Sequence, residues 1–179
     1  MVRSMAAERA EPLLRREVCE DFDYHAVRAL RRQIMEAYID ENGVEAKAGL
    51  LPMLRELKQM GLRIGLATAT PEARARKYLR MVGAETAFDA VACAEMVAHG
   101  KPAPDVYLLA AQKLELPPRV LLGVEDSPSG VQSAHVAGMM VAMVPDQDQP
   151  SAEIAALCAL VAPSLAGIAP FVKESLRRP

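Results

Sequence analysis

Residues 120–130 read Val-Leu-Leu-Gly-Val-Glu-Asp-Ser-Pro-Ser-Gly, an apolar run that stops abruptly at two acids. The first five residues are uncharged and mostly aliphatic, which predicts a buried strand. Glu125 and Asp126 stand at the end of that strand. Ser127 followed by Pro128 is typical of a helix N-cap and the first helical position. The stretch therefore predicts a strand, an acidic turn and a helix, which is the repeating unit of an α/β fold.

The same alternation extends along the chain in both directions. Short apolar runs predict further strands at 63–67, 90–94 and 139–144, and a last one near Leu160. A helical pattern at 50–60 precedes the first strand, further helical patterns at 70–83, 104–114 and 127–138 lie between strands, and another helix is predicted at the C-terminus. Continuous apolar strands joined by helices indicate a parallel sheet covered on both faces. We expect a doubly wound α/β fold, whose ligands bind beyond the carboxyl ends of the strands.

The first 44 residues follow a different pattern and contain no convincing strand. Glu11–Arg16 is predicted to be a short helix and Asp23–Asp40 a longer one, ended by Asn42 and Gly43. The longer helix carries an apolar stripe made of Val27, Leu30, Ile34 and Tyr38. We therefore expect two parts, a helical appendage at 1–44 and an α/β core at 45–179.

Composition excludes several classes of partner. Aromatic residues make up 4% of the chain and the net charge is −2, so neither base stacking nor a basic field favours nucleic acid. No apolar run approaches the ~18 residues that a membrane span needs. Three widely spaced cysteines favour a reducing compartment over a disulfide framework. We expect a cytoplasmic protein without nucleic-acid or membrane partners.

Three strand ends carry polar groups, and the first is Thr68, which is followed by Ala69. A hydroxyl group and backbone amides just ahead of a helix N-terminus can bind a phosphate oxygen. The simpler interpretation is that Thr68 and Thr70 only cap the next helix, with Thr70 at the N-cap and Pro71 in the first turn.

The second strand end is Gly100–Asp105, which contains Lys101. Pro102 and Pro104 stiffen the backbone around this lysine and lack backbone donors. A fixed ammonium group at the mouth of the sheet would neutralise phosphate charge. The alternative is a surface lysine in a proline turn.

The third strand end is the Glu125-Asp126 pair. Carboxylate oxygens suit a hard cation such as Mg²⁺, which often bridges to phosphate. The alternative is that the acids only stabilise the dipole of the following helix. That explanation accounts for one acid better than for two.

The three segments together resemble the haloacid dehalogenase-like hydrolase superfamily, in the branch of small phosphatases and β-phosphoglucomutase. The matching strings are Leu-Ala-Thr-Ala-Thr at 66–70, Gly-Lys-Pro-Ala-Pro-Asp at 100–105 and Val-Glu-Asp-Ser-Pro-Ser-Gly at 124–130. Their order and spacing, rather than any single string, carry the resemblance, which covers essentially the whole chain.

The resemblance implies a Rossmannoid core and a role for each candidate residue. Thr68, with Ala69, would bind the transferred phosphoryl group, and Lys101 would stabilise the charge of the nucleophile and the phosphoryl group. Asp126 would ligate Mg²⁺, and Glu125 would orient the metal shell. Residues 1–44 would be the remnant of the helical cap that closes over the substrate.

One family motif has no counterpart in the chain. The family's nucleophile lies in an Asp-x-Asp-Gly-Thr motif at the end of the first core strand, and this string does not occur here. Asp21-Phe-Asp23 sits at a helix start and Asp146-Gln-Asp148 follows Pro145, so we assign the nucleophile to neither. We expect the first core strand to be absent and the chain to be truncated. The strands at 63–67 and 120–124 would then have unpaired inner edges.

The function expected from this resemblance is Mg²⁺-dependent hydrolysis of a small phosphorylated metabolite through an aspartyl-phosphate. Without the nucleophile, the chain is expected to be inactive alone. One alternative is a degenerate member that binds phosphate or a partner without turnover. Another is a phosphomutase. The identity of the substrate does not follow from the sequence.

Overall fold

The computed structural model describes residues 7–177 of the chain. The chain divides into two compact units, Met1–Val44 and Glu45–Pro179. We refer to them as the N-terminal unit and the core unit and describe each by itself. Among residues 7–177, no helix is both long and apolar enough to cross a membrane.

From residue 7 onward, the N-terminal unit consists of two helices. Helix α1 spans Ala7–Glu17 and starts four residues before the predicted Glu11. Helix α2 spans Tyr24–Asn42, close to the predicted position. Asp23 caps α2, because its carboxylate accepts a hydrogen bond from the Ala26 amide at 2.8 Å. This capping role is the one that its position predicts. The apolar stripe of α2 is half or more exposed within the structure, with Tyr38 at 65%.

The core unit alternates helices and strands, as the apolar pattern predicts. Its elements are α3 (Leu50–Gln59), β1 (Gly65–Thr68), α4 (Glu72–Met81), β2 (Ala90–Cys93), α5 (Asp105–Lys113), β3 (Leu122–Glu125), α6 (Pro128–Val136), β4 (Met140–Met143), α7 (Ala152–Ala156), β5 (Leu160–Val161) and α8 (Ile168–Ser175). The predicted start of β3 at Val120 is wrong. Pro118 begins a 3-10 turn that includes Val120, so the strand starts at Leu122.

The strands within residues 7–177 form two parallel sheets rather than one continuous sheet. Strand β1 pairs with β2, and β3 pairs with β4, which pairs with β5. The α/β class with parallel strands is confirmed. Among the described residues, β1 and β3 do not pair with each other, so each is an edge strand. This arrangement agrees with the expected unpaired inner edges.

Helices cover β4 on both faces, which explains its continuous apolar sequence. Val141 and Met143 pack with Val131 and other residues of α5 and α6. Ala142 and Val144 pack on the opposite side, in a cluster with α3 and α8 that includes Ile168. Since consecutive side chains of a strand point to opposite faces, all of these positions must be apolar.

A cavity of about 560 Å³ lies between the edges of β1 and β3, and we call it the inter-sheet slot. Its walls are mostly apolar side chains from both helical layers and from the two strands, among them Leu54, Leu66, Leu114, Leu122 and Phe171. All lining residues belong to the core unit. The slot therefore separates the two sheets and reaches Ala67 and Val124, the residues just before the candidate site residues at the ends of β1 and β3.

Candidate phosphate and metal site

Lys101 connects the carboxyl ends of β1 and β3. Its ammonium group donates to the Ala67 carbonyl at 3.2 Å, near the end of β1. The same ammonium group pairs with the Glu125 carboxylate at the end of β3. The Lys101 side chain is only 16% exposed and that of Glu125 is 6% exposed. Lys101 is thus a held cation at the mouth of the sheet, and not a solvated lysine in a proline turn.

The Glu125 carboxylate is surrounded by donors of the protein itself. Its Oε1 accepts from Lys101 and from the Tyr107 hydroxyl. Its Oε2 accepts from the Asp126 amide at 3.3 Å and from the Ser127 hydroxyl at 3.4 Å. Burial, reinforced by the negative charge of Glu125, raises the pKa of Tyr107. Tyr107 therefore remains a neutral donor to Glu125 throughout the physiological range.

Asp126 differs from Glu125 although it is the next residue. Its side chain is exposed at the end of β3. Partial desolvation, followed by the negative charge of Glu125, raises the pKa of Asp126 above its usual value, and Lys101 and Lys47 act in the opposite direction. A bound cation would relieve this repulsion between the two carboxylates.

The acidic pair fits a magnesium ion only as part of a ligand set. Asp126 offers an accessible carboxylate of the type that Mg²⁺ prefers. The oxygens of Glu125 already accept hydrogen bonds from protein donors. Within residues 7–177, no group of three or more His, Cys, Asp and Glu side chains is arranged to hold a metal. Water and substrate oxygens would have to complete the coordination of an ion at Asp126.

Thr68 ends β1, and its hydroxyl accepts a hydrogen bond from the Thr70 amide at 3.0 Å. The prediction that Thr70 caps the next helix is wrong, because α4 starts only at Glu72, and Pro71 occupies the N-cap position without a side-chain bond. The helix therefore starts one residue later than predicted, after a turn closed by the Thr68 hydroxyl group. Ala69 is exposed in this turn.

Three residues around the site were missed by sequence reasoning. Tyr107 contacts Glu125 from the first turn of α5. Ser133 is fully buried in α6 and donates to the Ala103 carbonyl at 2.6 Å, two residues after Lys101. Gly130 leaves room for Glu125, because an added Cβ would overlap the carboxylate. The local sequence offered no signal for Ser133, because α6 also contains the polar residues Ser129, Gln132 and His135.

The comparisons with known proteins agree with this arrangement. The family model of haloacid dehalogenase-like hydrolases matches residues 4–138. Hexitol phosphatase B of Escherichia coli K12 is 37% identical over 121 residues, which are 64% of this chain and 54% of that protein. The chain spans about half the length of the curated relatives that it matches.

Solved structures show the same similarity in three dimensions. The structure of CbbY from Rhodobacter sphaeroides in complex with phosphate superimposes with a TM-score of 0.71 at 26% identity, covering 88% of this chain and 72% of that one. β-Phosphoglucomutase from Clostridium difficile superimposes with a TM-score of 0.66 at 26% identity, covering 77% and 60%. The chain therefore belongs to the haloacid dehalogenase-like hydrolases, in their phosphatase and phosphomutase branch.

Proposed function

We propose that the chain carries the phosphate-binding and metal-binding half of a Mg²⁺-dependent phosphatase site for a small phosphorylated metabolite. The observation that carries this proposal is the Lys101 ammonium group, which is held between the carboxyl ends of β1 and β3 beside two acids. Hexitol phosphatase and β-phosphoglucomutase, by their names, act on phosphorylated sugars or sugar alcohols. This similarity supports a sugar phosphate as the substrate class.

In this proposal each residue acts on the phosphoryl group or on the metal. Lys101 would neutralise phosphoryl oxygens, and the Thr68 hydroxyl with the Ala69 amide would orient them. Asp126 would hold Mg²⁺, and Glu125 would keep both Lys101 and the metal shell in place. A bound Mg²⁺ supplies charge neutralisation and orientation of the phosphoryl oxygens. The N-terminal unit is proposed to be a remnant of the helical cap.

We expect residues 1–179 alone to bind phosphate without turning over a phosphoester. The sequence contains no Asp-x-Asp-Gly-Thr string, the motif in which the resemblance places the nucleophile. Removing the key member of a catalytic group typically abolishes nearly all of its rate. A non-catalytic phosphate-binding role is the second candidate. It is favoured by the contacts that already engage both oxygens of Glu125.

Calorimetric titration of the purified chain with inorganic phosphate, with and without Mg²⁺, tests this proposal. Lys101→Met should weaken phosphate binding about tenfold or more, the effect of losing a hydrogen bond to a charged group. The matched control is Lys173→Met, which removes an exposed lysine from α8. Absence of phosphate binding to the unaltered chain, or equal binding by both variants, would contradict the proposal.

Asp126→Asn provides the second arm of this test. Replacing a hard anionic ligand by a neutral amide should weaken Mg²⁺ binding and remove the Mg²⁺-dependent part of the phosphate affinity. Phosphate binding without Mg²⁺ should persist. Turnover is measured in parallel with 4-nitrophenyl phosphate. Robust Mg²⁺-dependent hydrolysis by the chain alone would show that it has its own nucleophile.

A further inference from the structure

We infer that Tyr107 and Ser133 are positioning residues that hold the Lys101 ammonium group ready for an anionic ligand. The inference rests on the proposed role of Lys101 as a phosphate-binding residue. Neither residue needs to touch the ligand. Each acts through a hydrogen bond, one to the counterion of Lys101 and one to the loop that carries it.

The loop of Lys101 needs an anchor because its own backbone supplies few donors. Pro102 and Pro104 have no N–H group, and the hydrogen bond from the Ala103 amide to the Gly100 carbonyl closes only the local turn. Ser133 connects this turn to another element. Its fully buried hydroxyl group donates to the Ala103 carbonyl at 2.6 Å.

The anchor of Ser133 matters because of where its helix starts. Helix α6 begins at Pro128, directly after the acidic pair at the end of β3. The Ser133 bond therefore fixes the distance between the loop that carries the cation and the strand end that carries the acids. An alanine at this position would leave the Ala103 carbonyl without that donor.

Tyr107 acts on Lys101 through its counterion, Glu125. Its hydroxyl group donates to Oε1 of Glu125, the same oxygen that pairs with Lys101. The Lys101 ammonium group also lies 5.0 Å from the centre of the Tyr107 ring, within cation–π range. Tyr107 thus orients the counterion and also provides a face for the cation.

The hydrogen-bond inventory of the ammonium group explains why this placement serves an anion. A lysine ammonium group has three N–H donors. Among residues 7–177, one donor is directed to Ala67 and one to Glu125, which leaves the third for a ligand oxygen.

Competitive acetylation of lysines with acetic anhydride, read by mass spectrometry, tests the positioning directly. Tyr107→Phe and Ser133→Ala should each raise the labelling of Lys101, relative to exposed Lys173, by ~3-fold or more, as loss of one hydrogen bond predicts. Tyr78→Phe is the matched control for Tyr107, because its hydroxyl group has no partner among the described residues. Ser175→Ala is the control for Ser133→Ala, because it removes a hydroxyl group that donates within α8, to the Phe171 carbonyl.

Lys113 separates positioning from general loosening of the fold. It is tied to the Val91 carbonyl at 2.7 Å and should keep its labelling if only the Lys101 loop has moved. If Ser133→Ala raises the labelling of both Lys101 and Lys113, the fold has loosened in that variant, and the labelling of Lys101 in Tyr107→Phe then tests the inference. Labelling of Lys101 that is the same in Tyr107→Phe and Tyr78→Phe would overturn the inference, whatever the result with phosphate.

A double-mutant cycle with Lys101→Met then connects the positioning to binding. Tyr107→Phe and Ser133→Ala should weaken the affinity for inorganic phosphate in the unaltered chain and cause no further loss in the Lys101→Met background. Additive losses would mean that the two residues act independently of Lys101 and would overturn the inference. Failure of the unaltered chain to bind phosphate overturns the proposed function alone, since the labelling does not depend on phosphate.

Discussion

At Gly130 the first turn of α6 passes directly against the Glu125 carboxylate, and a methyl group there would overlap it. Elsewhere in a helix, alanine is more favourable than glycine by about 0.5–1 kcal/mol. The close approach reverses this preference. It gives a physical reason for the glycine in the Glu-Asp-Ser-x-x-Gly string, which the resemblance alone did not explain.

Gly130→Ala is expected to lower the free energy of unfolding by about 1–3 kcal/mol, the usual cost of forcing extra volume into a packed site. Urea unfolding followed by circular dichroism measures this. Gly100→Ala is the control, because nothing lies within 4 Å of its added Cβ, and it should change stability by less than about 0.5 kcal/mol. Equal stability of the two variants would show that Glu125 can move aside without cost.

Elements of the core were predictable where an apolar run meets a strong local signal. Ser127 caps α6 through the Gly130 amide, as the Ser-Pro pair predicts. The start of β3 and the capping role assigned to Thr70 were wrong, because a 3-10 turn and a threonine turn override the simple pattern. The contact between Tyr107 and Glu125 joins residues 18 positions apart on different elements, and no local pattern encodes it.

The hydrogen-bond pattern of the edge strands predicts which amides are unprotected. The Asp89 amide donates to the Ile64 carbonyl, and the Met140 amide donates to the Leu121 carbonyl. These bonds fix which residues of β1 and β3 direct their backbone groups toward the paired strand and which direct them away from it. Gly65, Ala67, Leu122 and Val124 then direct their amides toward the inter-sheet slot. Hydrogen exchange by NMR should show these four exchanging faster than Leu66 and Gly123. Uniform protection along both strands would mean that something fills the slot.

Asp89 gives the start of β1 a dependence on pH. Its carboxylate accepts hydrogen bonds from the Lys58 ammonium group and from the Ile64 amide, the latter at 2.6 Å. Both bonds lower the pKa of Asp89, and the bond from Lys58 has the larger effect. This stabilisation is fully present above the pKa that the Asp89 carboxyl group has in the unfolded chain. It is lost as the pH falls through the lower pKa that the same group has in the folded chain. Asp89→Asn should therefore lower Tm at pH 7 and have little effect at pH 2. An equal loss at both pH values would contradict an electrostatic origin.

For the whole molecule, the two open edges predict association. Four residues direct backbone groups into an apolar slot, and an unpaired buried group costs about 1–3 kcal/mol. Such a cost is comparable with a typical total stability of ~5–15 kcal/mol. We expect the chain to form oligomers or to unfold without full cooperativity, as shown by size-exclusion chromatography at several concentrations and by thermal unfolding.

A charge on the edge tests the cause of this association. Val124→Lys places a lysine on β3 at the slot and should reduce oligomer formation, since edge charges oppose strand pairing. Val136→Lys is the control, an exposed valine at the end of α6. A monomeric chain with one sharp transition would show that the sheets are stable with their edges open.

The Ala67 carbonyl links the slot to the site in a way that has a thermodynamic consequence. It faces the slot, where a neighbouring strand would donate to it, and Lys101 now occupies that acceptor. A carbonyl oxygen has two lone pairs, so a segment that pairs with β1 would share this oxygen with the ammonium group and weaken the bond between Lys101 and Ala67. The weakened bond leaves the ammonium group freer to donate to an anion. Occupancy of the slot and anion affinity are therefore coupled, and the coupling is reciprocal. Whatever factor a paired strand adds to anion binding, a bound anion adds to strand pairing.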